Sequence, residues 1–421
     1  MSILVSSESG TLLKQLSGNI ENTKINGREY TIENGTDGND KEYVSYGGAR
    51  VTTDTDNFGR TSSVTSSGYT LSYTYKGVTG SNATTNLVHT MSYELDEDDI
   101  AQYTYDYDSN GNITEVKEGN TVIAKYTYDE LNQLSTSADK NADEFVEYTY
   151  DTKGNITQKK KYSLNTDLTR GTLQDTKNYT YGDTNWGDKL TSYNGTAIAY
   201  DNVGNPTSYR DGMTMSWMVG RSLSQVTKSN KTYSFKYNAD GLRTEKKCVT
   251  DGNTHHYYYD SNGNMIAFRR NNSAVVYFYY DSQGNVTSMS FEGTKYFFIK
   301  NIQGDVEKIV THQGNVAVTY KYDAWGKLIN KTDNTVYGIG ELNPFRYRGY
   351  IYDDETGLYY LKSRYYDPIT GRFLNADDTI IYLLNKDIRC YGTPIINSFA
   401  YCNNRGCRVI LRRLLCFAAS N

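Results

Sequence analysis

YDYDSNGNI at residues 105–113 and YTYDTKGNI at 148–156 decide how this chain is read. The phrase returns as YYYDSNGN at 257–264 and FYYDSQGNV at 278–286. Looser copies are YTYDELNQL at 126–134, YKYDAWGKL at 320–328, and the segments 198–206 and 235–242. Asp108, Asp129 and Asp151 lie 21 and 22 residues apart, and Asn238, Asp260 and Asp281 lie 22 and 21 apart. Asp281 and Asp323 are 42 apart, with KNIQGD at 300–305 filling the intermediate slot. One such phrase is a weak signal, but repetition at near-constant spacing defines a repeat architecture.

Each copy has a physical reading. Tyrosines at i and i+2 lie on one face of a strand. Asp108, Asp151, Asp260, Asp281 and Asp323 then open turns, where a carboxylate accepts backbone N–H groups two residues on. Gly111, Gly154, Gly263, Gly284 and Gly326 supply a positive φ. The Asn that follows tolerates the same region, and Ile or Val restarts the strand. The pattern predicts hairpins with loops of the three-to-five-residue class. These Asp residues are expected to be turn formers, not catalytic acids.

The composition agrees with extended, half-wet β-sheet. The 421 residues include 42 Tyr but 12 Phe and 3 Trp, with 36 Gly and 4 Pro. A hydrophobic content of 37% would suit a disordered chain, but an aromatic content of 14% would not. Tyrosine combines a large flat contact area with a polar tip and favours strands. Cross-strand packing accounts for Tyr ladders without a ligand. Sugar stacking is the alternative, with cell-wall glycans as partners.

A net charge of −5 gives no general pull toward nucleic acid. His89, His255, His256 and His312 have no metal-ligand spacing. Cys248, Cys390, Cys402, Cys407 and Cys416 form no disulfide framework, and Cys402 with Cys407 lacks the second half of a zinc site. No metal and no cofactor are expected. The N-terminus has neither the basic start nor the apolar core of a signal peptide, and no stretch is long and apolar enough for a transmembrane helix. It is expected to belong to a longer protein, secreted or displayed at the cell surface.

A second text follows the repeats: NPFRYRGYIYDDETGLYYLKSRYYDPITGRFLNADD at 343–378. It carries turn signals at Asn343-Pro344, 354–357 and 367–371. Tyrosines alternate with Arg346, Arg348, Lys362, Arg364 and Arg372, which predicts a β-meander with aromatic–cation packing.

This stretch resembles the Rhs repeat-associated core, and the phrases before it resemble YD repeats. The resemblance covers roughly residues 100–404 and is closer to wall-associated, Rhs-type proteins of Gram-positive bacteria than to the insect toxin-complex branch. It divides the chain into a degenerate β-repeat region (1–100), YD repeats (101–335), the core (336–404) and an atypical cationic tail (405–421). The acidic run ELDEDDI at 94–100 reads as a solvated loop.

The resemblance implies an all-β fold of repeated antiparallel hairpins wound into a continuous curved sheet. In such families the sheet forms a hollow shell, the core seals one end, and a C-terminal toxin is held inside. Many members release the toxin by aspartyl-type self-cleavage. Carried over by motif, Arg364 matches the required Arg and Asp377 the first Asp, with Asp378 as a register alternative. A second Asp belongs to an Asn-Asn-Pro…Asp-Pro-x-Gly phrase. SFAYCNN at 398–404 resembles its lead-in, but RGCRVILRRLLCFAASN follows and no Asp occurs after Asp387. Self-cleavage is therefore expected to be lost, and the chain is expected not to be an enzyme.

The tail could form a cationic amphipathic helix that touches an anionic membrane. A shifted or prematurely ended reading frame is the simpler reading. The expected function is a shell segment of a polymorphic-toxin delivery protein, incomplete in this chain, with its toxin domain missing or encoded in another frame. A carbohydrate-binding adhesin and a residual self-cleaving protease are the alternatives.

Overall fold

The computed structural model describes residues 15–17, 20–78, 80, 83–218, 221–376 and 399–401. These contain 35 β-strands, one four-residue helix (Ile339–Leu342) and two 3-10 turns. Chain neighbours pair antiparallel, as in Ile20–Ile25 with Arg28–Thr36 and Val276–Tyr280 with Val286–Phe291. The fold is all-β and built of antiparallel hairpins, as the turn spacing predicts.

The chain forms two compact units that interleave in sequence. Unit 1 comprises residues 1–105, 253–320 and 331–349; unit 2 comprises 106–252, 321–330 and 350–421.

In unit 1, the hairpins between Ile20 and Tyr105 pack one face on the hairpins between Thr254 and Tyr320. Tyr69 stacks on Phe297 at 4.9 Å, and the Tyr69 hydroxyl donates to the Phe298 carbonyl at 3.0 Å. Tyr93 donates to the carbonyl of Lys300 at 2.6 Å. The other face of the second run meets Phe345, whose ring lies 4.8 Å from that of Phe278. Covering on both faces explains why Met265, Ile266, Ala267 and Phe268 are buried in unbroken succession instead of alternately.

In unit 2, hairpins run from Ile113–Glu118 to Arg243–Cys248. They carry a four-stranded sheet made of Ile351–Asp353, Leu358–Leu361, Arg364–Asp367 and Arg372–Phe373. Phe235 meets Tyr365 at 6.0 Å, and Tyr148 meets Trp325 edge-on at 5.9 Å.

The repeat turns share one hydrogen-bond pattern. At Asp281, Oδ1 accepts from the backbone N–H of Gln283 (3.0 Å) and Asn285 (2.7 Å), and Oδ2 accepts from the Asn285 amide (2.8 Å). Asp108, Asp151 and Asp260 repeat all three bonds. Gly284 donates back to the Asp281 carbonyl at 3.0 Å with φ +77°.

The Asn of the phrase has a different task from the one expected. Asn112, Asn155, Asn264 and Asn285 all have negative φ; they tie down the second carboxylate oxygen. In the copy YTYDELNQL, where Asn132 replaces the Gly itself, Asn does take the positive φ (+60°). At Asp323, Lys327 occupies the Asn slot, and Lys159 supplies the third bond to Oδ2 at 3.0 Å.

The tyrosine before several of these turns reaches back to the preceding hairpin. Tyr128 donates to the carbonyl of Ile113, Tyr150 to Leu134, Tyr237 to Leu223 and Tyr280 to Met265, at 2.7–2.8 Å. Leu134, Leu223 and Met265 lie where a strand restarts after a turn, beside the register shift of that loop. Ring burial and carbonyl satisfaction thus come from one side chain.

The acidic run at 94–100 is a hairpin, not a loop. Leu95 pairs with Asp98 across Asp96 and Glu97, both at positive φ (+49° and +73°). Two positive φ values are what a two-residue turn between twisted strands requires.

Replacing Asp281 with Ala should cost about 2–3 kcal/mol, because it strips partners from three donors, while Asp281→Asn should cost roughly half as much. Tyr150→Phe should cost about 1 kcal/mol. Denaturant unfolding of the three variants checks the ranking, and an Asp281→Ala loss no larger than that of Tyr150→Phe would contradict it.

Candidate functional site

The signature after the repeats buries Asn343, Arg346, Asp353, Asp367 and Arg372 almost completely. Its first half, up to Gly349, belongs to unit 1. It forms a short helix and turns instead of a meander strand, because Arg346 gathers the backbone around itself. The buried guanidinium donates to the carbonyls of Gly340, Asn343 and Phe345 and lies 4.1 Å from the Tyr320 ring centre. The Arg348 N–H donates to Asp305 Oδ1 at 2.7 Å. Burial raises the Asp305 carboxyl, and the Arg348 charge opposes it.

The second half, from Tyr350, lies in unit 2 and contains two turns of one design. In Asp353-x-x-Thr-Gly357 and Asp367-x-x-Thr-Gly371, the Gly N–H donates to the Asp carbonyl at 2.8 and 2.9 Å. The repeat Asp residues spend their carboxylates on local N–H groups. Asp353 and Asp367 spend theirs mainly on arginines from distant strands.

Asp353 accepts from Arg243 Nη1 at 2.6 Å, Arg243 Nη2 at 3.0 Å and Lys246 Nζ at 3.0 Å. Lys246 also pairs with Glu355 at 2.8 Å. Asp367 accepts from Arg210 Nε at 2.7 Å and Nη2 at 2.6 Å, with Tyr209 and Thr370 hydroxyls at 3.1 and 2.9 Å. Arg210, Arg243, Asp353 and Asp367 are all at most 2% exposed.

Tyrosine hydroxyls complete the attachment. Tyr359 donates to the carbonyl of Gly326 and Tyr366 to that of Trp325, both at 2.8 Å. Arg372 donates to the Asp188 carbonyl at 2.6 Å and lies near Tyr181 and Asn155.

Arg364, the residue matched to self-cleavage, opens the strand Arg364–Asp367 and is half-buried. Its guanidinium stands 3.5 Å from the centre of the Phe373 ring. Asp377 and its register alternative Asp378 lie outside the described residues, as do Cys390, Cys402, Cys407, Cys416 and the tail 405–421. The chain is held on both sides of that stretch. Arg221 Nη1 donates to the Ala376 carbonyl at 2.6 Å. Phe373 N–H donates to the Phe399 carbonyl at 3.1 Å, and Tyr401 packs 4.4 Å from Tyr366. Ala376 is therefore tied to Arg221 of the repeat hairpins, and Phe399 to the four-stranded sheet at Phe373.

Arg210, Arg243, Lys246 and Arg221 were not singled out from sequence. One signal existed: Arg243 stands where strong copies of the phrase carry Ile or Val, and a charge in that inward slot demands a buried partner.

Two carboxyls in unit 2 sit in opposite environments. Burial alone would raise Asp353, but Arg243 and Lys246 hold it down to about 2. Its contribution to stability is present above the ordinary carboxylate value of 3.8 and is lost as pH falls toward 2. Asp139 is pushed up to about 7 by burial, with Glu144 and Asp323 adding negative charge, against the Asn141 and Ala142 N–H groups. Stability tied to Asp139 is full below 3.8 and is lost as pH rises through about 7. Asp139→Asn should therefore raise the melting temperature at pH 8 and leave it unchanged at pH 4; an equal shift at both would refute the assignment. Arg243→Ala should cost about 3–5 kcal/mol, because it removes the bidentate partner of the buried Asp353 and leaves it Lys246 alone. Urea titration at pH 7 measures this, and a loss under about 1 kcal/mol would count against the tie.

Comparison with known proteins places this architecture. The Teneurin YD-shell family matches residues 270–404, and the RHS Repeat family matches 107–144. The tRNA3(Ser)-specific nuclease WapA of Bacillus spizizenii is 33% identical over 67% of this chain and 14% of its own length. The tRNA(Glu)-specific nuclease WapA of Bacillus subtilis subsp. natto is 32% identical over 73% of this chain and 15% of its own. The chain thus spans about one-seventh of these relatives. In fold, it resembles the crystal structure of TcdB2-TccC3-Cdc42, with a TM-score of 0.66 at 15% identity over 94% of this chain and 22% of that one. The Photorhabdus luminescens Tc holotoxin pore gives 0.63 at 16% identity over 95% of this chain and 22% of that one. With its repeats, its signature and its hairpin fold all matched, this chain belongs to the RHS-repeat, YD-shell family.

Proposed function

We propose that the chain is a shell segment of a bacterial toxin-delivery protein, which encloses a C-terminal toxin and works outside the producing cell. The observation that carries this reading is the pinning of the signature. Asp353 and Asp367 bind buried arginines of the repeats, so the segment leading to Ala376 is held in one place. A segment that hands the chain on to a cargo needs such a fixed exit point. The WapA relatives are named as nucleases, which supports a toxic cargo and leaves its chemistry here open to experiment. Protection of the producer then comes from sequestration, not from a reaction.

The chain itself does not cleave. An aspartyl dyad works because two carboxyls share a proton, one acting as base and the other as acid. The Asn-Asn-Pro…Asp-Pro-x-Gly phrase that would bring the second Asp does not continue from Asn404, where RGCRV stands instead. Arg364 is engaged with Phe373.

Intact-mass measurement after incubation between pH 4 and pH 8 should give a single species at the full-chain mass. A discrete fragment ending near residue 400 would overturn the loss of cleavage. The delivery reading is tested on the coding DNA from codon 380 onward, translated in all three forward frames. A frame that restores Asn-Asn-Pro…Asp-Pro-x-Gly, followed by a domain that stops growth when expressed alone, is the expected result; no such domain in any frame would overturn it.

A further inference from the structure

Unit 1 contains a pair of phenols that the shell reading does not use. Tyr30 belongs to the strand Arg28–Thr36 and Tyr277 to the strand Val276–Tyr280, 247 residues later in sequence. Their rings stack with centroids 5.3 Å apart and an interplanar angle of 20°. Both are half-buried and line a cleft of about 520 Å3. That is many times the ~30 Å3 share of one water, so a small solute has room beside the rings.

The fold does not need a phenol at position 30. Tyr30 Oη is shut off from solvent and has no hydrogen-bond partner among the described residues. A buried hydroxyl without a partner costs desolvation and returns nothing, so a phenyl ring would pack there at lower cost. Such a group calls for an explanation outside packing. Other stacked tyrosines differ: Tyr359 and Tyr366 are buried, and their hydroxyls donate to the carbonyls of Gly326 and Trp325. The hairpin runs that carry Tyr30 and Tyr277, between residues 20 and 105 and between 254 and 320, contain no cysteine. A disulfide, the usual covalent tie of proteins that work outside the cell, cannot join them.

We propose that Tyr30 and Tyr277 form an oxidative cross-linking site, which hydrogen peroxide with a one-electron haem oxidant joins into a dityrosine staple across unit 1. The oxidant takes a hydrogen atom from Tyr277 at the cleft wall. The Tyr277 radical takes the hydrogen atom of the Tyr30 hydroxyl in turn, and a second oxidation of Tyr277 completes a radical pair. Phenoxyl radicals carry spin on the ring carbons ortho to oxygen, and the stack holds the two ring faces together. A carbon–carbon bond forms between one ortho carbon of each ring. Each of these carbons then loses its proton, and each phenolic oxygen regains one. One hydrogen peroxide accepts the two electrons and two protons and leaves as two waters, so the product is the chain less two hydrogen atoms. The staple goes beyond the shell reading and holds whatever the cargo.

The test treats the dilute full chain with hydrogen peroxide and microperoxidase, a small haem peptide, and digests the monomer fraction with trypsin for tandem mass spectrometry. Tyr30 is the one tyrosine of the tryptic peptide 29–41, and Tyr277 lies in the peptide 271–295. The two should appear joined, two hydrogen atoms lighter than their sum, with dityrosine fluorescence. The joined peptide should be lost in Tyr30→Phe and in Tyr277→Phe, which keep both rings, and kept in Tyr337→Phe at an exposed tyrosine of the same unit. Unfolding in urea before oxidation should also abolish it. Absence of the joined peptide from the wild-type chain, its persistence in Tyr277→Phe, its appearance in the dimer fraction alone, or an equal yield from the unfolded chain would each overturn the inference.

Discussion

A carboxylate that collects two backbone N–H groups and one side-chain amide holds each strong repeat turn, as Asp281 does with Gln283 and Asn285. The rest of the structure depends on it. Turn backbone groups left unpaired near the interior would oppose folding. With the turn satisfied locally, each hairpin can lie against the next without further turn chemistry. The preceding tyrosine then links consecutive hairpins through its hydroxyl, as Tyr150 does with the Leu134 carbonyl. A chain of 37% hydrophobic residues forms extended sheet in this way, because its aromatic side chains supply area and its polar tips leave few groups stranded.

The signature uses the same Asp-headed turn for another purpose. Asp353 and Asp367 turn their carboxylates toward Arg243 and Arg210, more than 100 residues earlier in sequence. Buried ion pairs are poor sources of net stability, because desolvation consumes much of the attraction. Their value lies in specificity: a bidentate fork accepts one position and one orientation. A mismatched docking of the four-stranded sheet would leave two guanidinium groups and two carboxylates buried without partners. The interactions around Ala376 and Phe399 depend on that docking, so the exit of the signature is set by electrostatics as much as by packing.

Unit 1 shows a different consequence of tyrosine. Where the rings of two hairpin runs interlock fully, as at Tyr69 and Phe297, the hydroxyl finds a backbone carbonyl. Tyr30 and Tyr277 instead stack on each other beside a cleft lined by hairpin turns. The same residue type is thus core in one place and lining in another.

The sequence by itself determined the class and the period. Asp281, Gly284 and their equivalents act within five residues, and an interaction that local can be read from spacing. The second role of Asn was less legible, because Asn112 binds the far oxygen of Asp108 only once the turn has closed. The hairpin at Asp96 and Glu97 was hidden because charge suggested solvent while backbone geometry made the turn. The partners of Asp353 and Asp367, the reach of Tyr280 to Met265, and the cleft at Tyr30 were decided only by the tertiary structure. Each depends on which sheet faces meet, and a buried charge shows its need for a partner in the sequence without showing which strand will bring one.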